Sequence, residues 1–213
     1  MKYKFDNILK AEAKYNSKVM YIVSIFVIFV CYFITGIENL SNNTLSILID
    51  RILPLIGIVS IFTLFLPESN ENIKDILKIK DGSLMVIYLI RLTYRIIFVS
   101  TIVIIYSRLI YKPNEFYKFS ESILHISSNF IFVGGISLFI YSISKNITAT
   151  TIIGLFYMTI QWFIKFRYFY LYNIRDFILQ NDLINIIIGI FFIFWAVYIQ
   201  IVYNKRWFFI FIN

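Results

Sequence analysis

The sequence predicts an all-α, polytopic membrane protein with six transmembrane helices. Of its 213 residues, 60% are hydrophobic and 15% charged, and the mean hydropathy is +0.78. A soluble domain is about half apolar and keeps roughly a quarter of its residues charged. The apolar residues also run in long blocks, most of them about as long as a helix needs to cross a bilayer. Lys and Arg lie between these blocks and do not share one face. The formal net charge of +8 therefore reads as membrane topology and not as a nucleic-acid surface. With no internal repeat and no soluble portion of any size, one transmembrane domain covers 1–213.

Residues 1–18 carry Lys2, Lys4, Lys10, Lys14 and Lys18 against Asp6 and Glu12. Phe5, Ile8 and Leu9, with Ala13 a turn further on, form an apolar stripe. That pattern predicts an amphipathic helix in the headgroup region, its lysines reaching anionic lipid; a disordered basic tail is the alternative. The first span, 19–37, follows a long charged segment and has no small-residue cleavage pattern after it, so it reads as a retained span. The second, 45–66, holds Asp50 and Arg51 near its outer end, where snorkelling accommodates an adjacent acid and base. Pro54 behind them predicts a kink.

Between spans two and three lies a short charged island, Leu66–Arg91. Within it Ile73, Ile76 and Leu77 fall on one side of a helix, with Glu71, Lys74, Asp75 and Lys78 around the rest. Ser69 supplies an N-cap, Lys78 and Lys80 sit in the last turn, and Asp81-Gly82 supplies the stop.

The third span, 84–111, has Arg91 and Arg95 one turn apart near its inner end. The fourth, 122–144, is interrupted by Ser127, Ser128 and Asn129 and by Gly134-Gly135. The fifth, 147–164, carries Thr150 and Gly154 in small-xxx-small spacing, which permits close helix contact. Residues 165–182 are aromatic and basic, too polar to span, and read as an outer interfacial or re-entrant segment; gating of an outer exit and plain anchoring are both open for it. The sixth span, 183–203, precedes Lys205-Arg206. With both termini inside, only Arg51, Arg108, Lys112, Lys118, Lys165, Arg167 and Arg175 of the 20 Lys and Arg fall outside, so the positive-inside rule favours N-in, C-in.

Catalytic motifs are missing. GxxxxGK[ST], HExxH, GxSxG and CxxC do not occur, so the chain has no nucleotide site of its own and is not expected to be an enzyme. The lone Cys31 cannot form an intramolecular disulfide, and the lone His125 has no second ligand within metal-binding spacing; an interfacial place is expected for it. Asp50, Glu115, Glu121, Asp176 and Asp182 are expected near or beyond the interfaces. A proton-coupled carrier or an intramembrane protease needs ionisable groups deep in the bundle, so this placement argues against both.

In this order of features the chain resembles the ABC-2 type permease family, the membrane subunits of ABC exporters whose ATPase is often a separate polypeptide. The resemblance runs over the whole chain. It rests on the basic segment LKAEAKYNSK with an acid before span one, on six spans with short loops, and on Pro67-Glu68 followed by Glu71-Asn72-Ile73-Lys74-Asp75-Ile76-Leu77 and then Arg91 near the start of span three. A polar non-spanning outer segment before span six completes it. Where the family often carries a proline before span three, this chain has Asp81-Gly82-Ser83.

The resemblance implies two paired permease subunits, identical or not, and a separate ATPase subunit that binds ATP, with no cofactor held by this chain. It implies that Glu71, Ile73, Lys74, Ile76, Leu77 and Lys78 form a coupling helix contacting that ATPase. The implied cargo is hydrophobic or amphipathic (a peptide, lipid or drug), and the implied location is a bacterial plasma membrane. Ser127, Ser128, Asn129 and Gln161 are candidates for lining the substrate path, with hydrogen bonds between helices as the other reading. Arg91 and Arg95 are expected to meet lipid phosphate, or acids of the coupling helix or of a partner. A polytopic membrane protein without transport function (immunity, accessory or scaffold) is the competing class.

Overall fold

The computed structural model describes residues 10, 12–35, 47–69, 84–111, 119–163 and 179–210, and every element among them is helical. The helices are α1 (Lys18–Thr35), α2 (Pro54–Phe62), α3 (Leu84–Tyr111), α4 (Phe119–Ser144), α5 (Ile147–Phe163) and α6 (Leu179–Ile210). Short π-helical turns precede α1 at Glu12–Asn16 and α2 at Ile47–Ile52, and a 3-10 segment, Thr63–Ser69, extends α2. The island residues 71–78 and most of the outer segment 165–182 lie outside the described residues, as do Phe5, Ile8 and Leu9 of the N-terminal stripe.

Four passages are long and apolar enough to cross a membrane: Leu48–Phe65, Met85–Leu109, Phe119–Ser144 and Asn181–Val202. α1 and α5 are apolar but shorter. Their 18 and 17 residues extend about 27 and 26 Å at 1.5 Å per residue, just under the ~30 Å of hydrocarbon. α3 has the bounds that the apolar block predicts. Pro54 does more than kink its passage. It has no N–H to donate and its φ suits a first helical position, so the π-helical turn ends at Ile52 and α2 starts at Pro54, the two joined through Leu53 in helical backbone.

The helix directions follow from which residues meet. Phe65 packs on Tyr88, and Arg95 on Ser60 and Thr63, so α3 runs antiparallel to α2. Ser137 meets Gly154 and Phe132 meets Tyr157, so α5 opposes α4. His125 with Asp182, Gly135 with Gly189 and Phe139 with Phe192 rise together; α4 and α6 are parallel. Gly57 meets Phe130 and Ile61 meets Gly134, so α2 and α4 are parallel and direction alternates from α2 to α6.

The centre is formed by α2 and α4. Of the apolar windows, 78% of Leu48–Phe65 and 61% of Phe119–Ser144 is buried, against 39% of Met85–Leu109 and 28% of Asn181–Val202. The outer helices turn Ile25, Phe26, Phe29, Phe156, Ile187 and Phe194 outward, the distribution expected where the solvent is lipid. Buried residues Asp182, Asn185, Gly189, Ile193, Ala196 and Gln200 recur every three or four positions on α6. They form the stripe it turns inward.

Glycine brings the two parallel helices together. A Cβ on Gly135 would stand 2.5 Å from the Gly189 carbonyl oxygen, and one on Gly189 would stand 2.6 Å from that of Ile131. Those neighbours are backbone and cannot rotate away. Gly134, Gly135 and Gly154 thus make their close contacts within one chain, against Ile61, Gly189 and Ser137. Gly189→Val is expected to destabilise the protein by about 1–3 kcal/mol through overpacking, read as a lower unfolding midpoint in mixed micelles. A wild-type midpoint would mean that the helices do not cross there. Between α4 and α5 the chain turns at Lys145, whose φ of 54° is left-handed, and Asn146 Oδ1 caps α5 by accepting from the Thr148 N–H at 2.9 Å.

Candidate functional site

Among the described residues the bundle core holds two ionic clusters, one toward each end. The first joins the N-terminal turn to α2 and α3. Glu12 is fully buried, and its Oε1 accepts from Arg95 Nη2 at 2.6 Å and from Nε at 3.1 Å. Arg91, one turn earlier on α3, places Nε 3.4 Å from Glu12 Oε2. The Arg95 guanidinium also donates through Nη1 to the Ser60 carbonyl at 2.7 Å and to Thr63 Oγ1. Thr63 in turn donates to the Val59 carbonyl at 2.7 Å. One guanidinium therefore ties three segments together, in the multi-donor geometry that suits arginine to buried carboxylates. Beside it the hydroxyls of Tyr21 and Tyr94 are hydrogen-bonded.

This overturns the expectation that Arg91 and Arg95 reach lipid phosphate or acids outside the bundle. Their side chains are 7% and 0% exposed, and their acid lies on the N-terminal segment of the same chain. Near Glu12 that segment is held in the protein and not on a bilayer surface.

The second cluster lies where α4 and α6 begin. His125 Nε2 is 2.7 Å from Asp50 Oδ1, and its Nδ1 is 2.8 Å from Asp182 Oδ1. Ser128 Oγ donates to the same Asp182 oxygen at 2.7 Å. Asn129 Nδ2 lies 3.4 Å from His125 Nε2. Asp50, His125 and Asp182 are all under 4% exposed. Each contact of the imidazole with a carboxylate requires one hydrogen. Two hydrogens are present either in an imidazolium between two carboxylates or in a neutral imidazole with one carboxylic acid, and both arrangements carry one net negative charge.

Asp50 is not left to snorkel: with His125 and Asp182 it is buried inside the bundle, and one histidine bridges the two aspartates. Asp50 and Asp182 stand near the ends of the passages Leu48–Phe65 and Asn181–Val202. Of the candidate path residues, Ser128 and Asn129 are buried beside this cluster and Ser127 is half-buried, while the Gln161 side chain lies outside the described residues. Ser128 makes the interhelical hydrogen bond that was the other reading for it.

Neither cluster is visible as a motif. His125 is 75 residues from Asp50 and 57 from Asp182, and Glu12 is 83 from Arg95. The usable signal was weaker: ionisable residues set within or against apolar blocks, which in membrane proteins usually face the bundle interior. Among the described residues no group of His, Cys, Asp and Glu is arranged to hold a metal ion. No protein-family model matches the chain, and no curated protein or solved structure matches it.

Proposed function

We propose that the chain is the membrane-spanning permease subunit of an ABC exporter, worked by a separate ATPase subunit through the segment 71–78. The observation that carries this reading is the Glu12–Arg95–Thr63 cluster. Thr63 and Ser60 lie just before the connection that holds 71–78, and Arg91 and Arg95 lie just after it. Both ends of that connection, with the N-terminal turn, are clamped by one buried ion-pair network. A push on the connection is then delivered to α2 and α3 as a unit and not absorbed by bending either helix.

In this reading all six apolar helices cross the membrane of a bacterial cell, both termini are cytoplasmic, and the Glu12 end of the bundle faces the ATPase. Ile73, Ile76 and Leu77 are the apolar anchors entering a groove on that subunit, and Glu71, Lys74 and Lys78 are the charged rim. ATP stays on the ATPase. A second permease copy, identical or not, completes the pathway, and the cargo is hydrophobic or amphipathic.

The test is co-purification from native membranes. An ATPase subunit is expected to accompany the tagged chain, and Ile73→Asp with Leu77→Asp is expected to release it or to lower the ATPase activity of the complex by about tenfold or more, the factor that one lost anchor is worth. If no ATPase accompanies the wild-type chain, or if the double variant leaves the activity unchanged, the reading is wrong and a non-transport scaffold takes its place.

A further inference from the structure

We infer that Asn185, with the Asp182 carboxylate, holds a small cluster of ordered water molecules inside the seam between α4 and α6. This holds whether or not the chain is a permease.

Asn185 lies on the stripe that α6 turns inward and is 1% exposed. Among the described residues neither its Nδ2 nor its Oδ1 has a hydrogen-bond partner. Turning the amide over exchanges the two atoms and changes nothing, because both are unmatched. An amide buried in this way bears its full desolvation penalty. In a membrane bundle, inward polar side chains meet one another or a water-filled cavity.

The nearest polar neighbour along the stripe is Asp182, three residues earlier. Side chains at that spacing on a helix stand about 5–6 Å apart at Cβ, close enough for water to bridge them. Asp182 has room to accept. Among the described residues its side chain is met at Oδ1, by His125 Nδ1 at 2.8 Å and Ser128 Oγ at 2.7 Å. The single Ser128 hydrogen is shared with the His125 carbonyl, 2.9 Å away. A carboxylate offers about four lone-pair positions, so Oδ2 is open to a further donor.

The two unmatched atoms select the ligand. A cation meets Oδ1 but cannot accept from Nδ2, and an anion meets Nδ2 but cannot donate to Oδ1. A molecule that both donates and accepts is required, and at so enclosed a residue that molecule is water. One water accepts from Asn185 Nδ2 and donates to Asp182 Oδ2. A second, bonded to the first, donates to Asn185 Oδ1. Each then has the polar partners that a buried water needs. The site is closed on one side. One turn further along α6, Gly189 lies so close to the α4 backbone that a Cβ would stand 2.6 Å from the Ile131 carbonyl oxygen, which leaves no room for water. The hydrated stretch ends there.

Water-edited solid-state NMR of the carbon- and nitrogen-labelled full chain in lipid vesicles tests this. Magnetisation from water is expected to reach Asn185 Nδ2 several-fold faster than the Gly189 Cα or the Ala196 methyl, the latter 0% exposed on the same stripe. Equally slow transfer to all three would overturn the inference. A second measurement compares Asn185→Ser with Asn185→Ala, two replacements of nearly equal size. Serine keeps a hydroxyl for the water, so its unfolding midpoint in mixed micelles is expected to lie above that of the alanine variant. In a dry seam that hydroxyl is one more buried polar group, and an equal or reversed order would overturn the inference. If the variants do not fold, the NMR result on wild type decides alone.

Discussion

Replacing Glu12 by Ala is expected to destabilise the protein by about 3–5 kcal/mol, the range for removing one partner of a buried ion pair. The charge count makes the prediction sharper than the range. Among the described residues Glu12 faces two guanidiniums, three groups that together carry one net positive charge. Removing Glu12 leaves two buried positive charges one turn apart on α3, whereas Arg95→Met leaves Glu12 with Arg91 at 3.4 Å and a net charge of zero. Glu12→Ala should therefore cost more than Arg95→Met, and the double replacement Glu12→Met with Arg95→Met should recover part of the loss. Unfolding in mixed micelles measures all three. The figure for Glu12→Ala belongs in the lower half of its range, because a chain unfolded within a membrane or micelle finds other polar partners. Equal losses for the two single variants would show that Glu12 does not hold both arginines.

Asp182→Ala is expected to have the next largest effect, about 1–3 kcal/mol, since it strands the buried His125 Nδ1 donor, while Ser128 Oγ keeps the His125 carbonyl as acceptor at 2.9 Å. His125 Nδ1 and Ser128 Oγ both use Asp182 Oδ1. Asp182→Asn keeps the shape and one acceptor oxygen, so its loss should fall between wild type and Asp182→Ala. The same micelle unfolding series reads this order. A loss from Asp182→Ala within a few tenths of a kcal/mol of wild type would mean that the cluster is hydrated and not buried.

The two clusters and the proposed coupling segment are independent in their tests. On the proposed reading Ile73 and Leu77 serve a partner, so variants there should leave the unfolding midpoint in place. Variants at Glu12 and Asp182 change the core. A midpoint that falls with Ile73→Asp would show that these residues are packed inside the bundle, where they cannot serve a partner.

Much of the architecture was legible because hydropathy acts locally. An apolar block must leave water as a helix that satisfies its own backbone, so the blocks alone placed α3 at Leu84–Tyr111 and α5 to within a residue. Pro54 was legible as a disturbance for the same local reason, a missing N–H. What could not be read was the rotation of each helix about its axis. In α3 apolar residues run all round, so nothing nearby says whether Arg91 and Arg95 point to headgroups or to the core. Asp50, His125 and Asp182 raised the same problem at the other end of the bundle. The sequence by itself determined a helical, membrane-embedded chain of alternating apolar passages. Only the tertiary structure decided which ionisable residues face one another, because pairing acids and bases dozens of residues apart depends on how α2, α4 and α6 pack, and that packing is set by contacts such as Gly135 on Gly189.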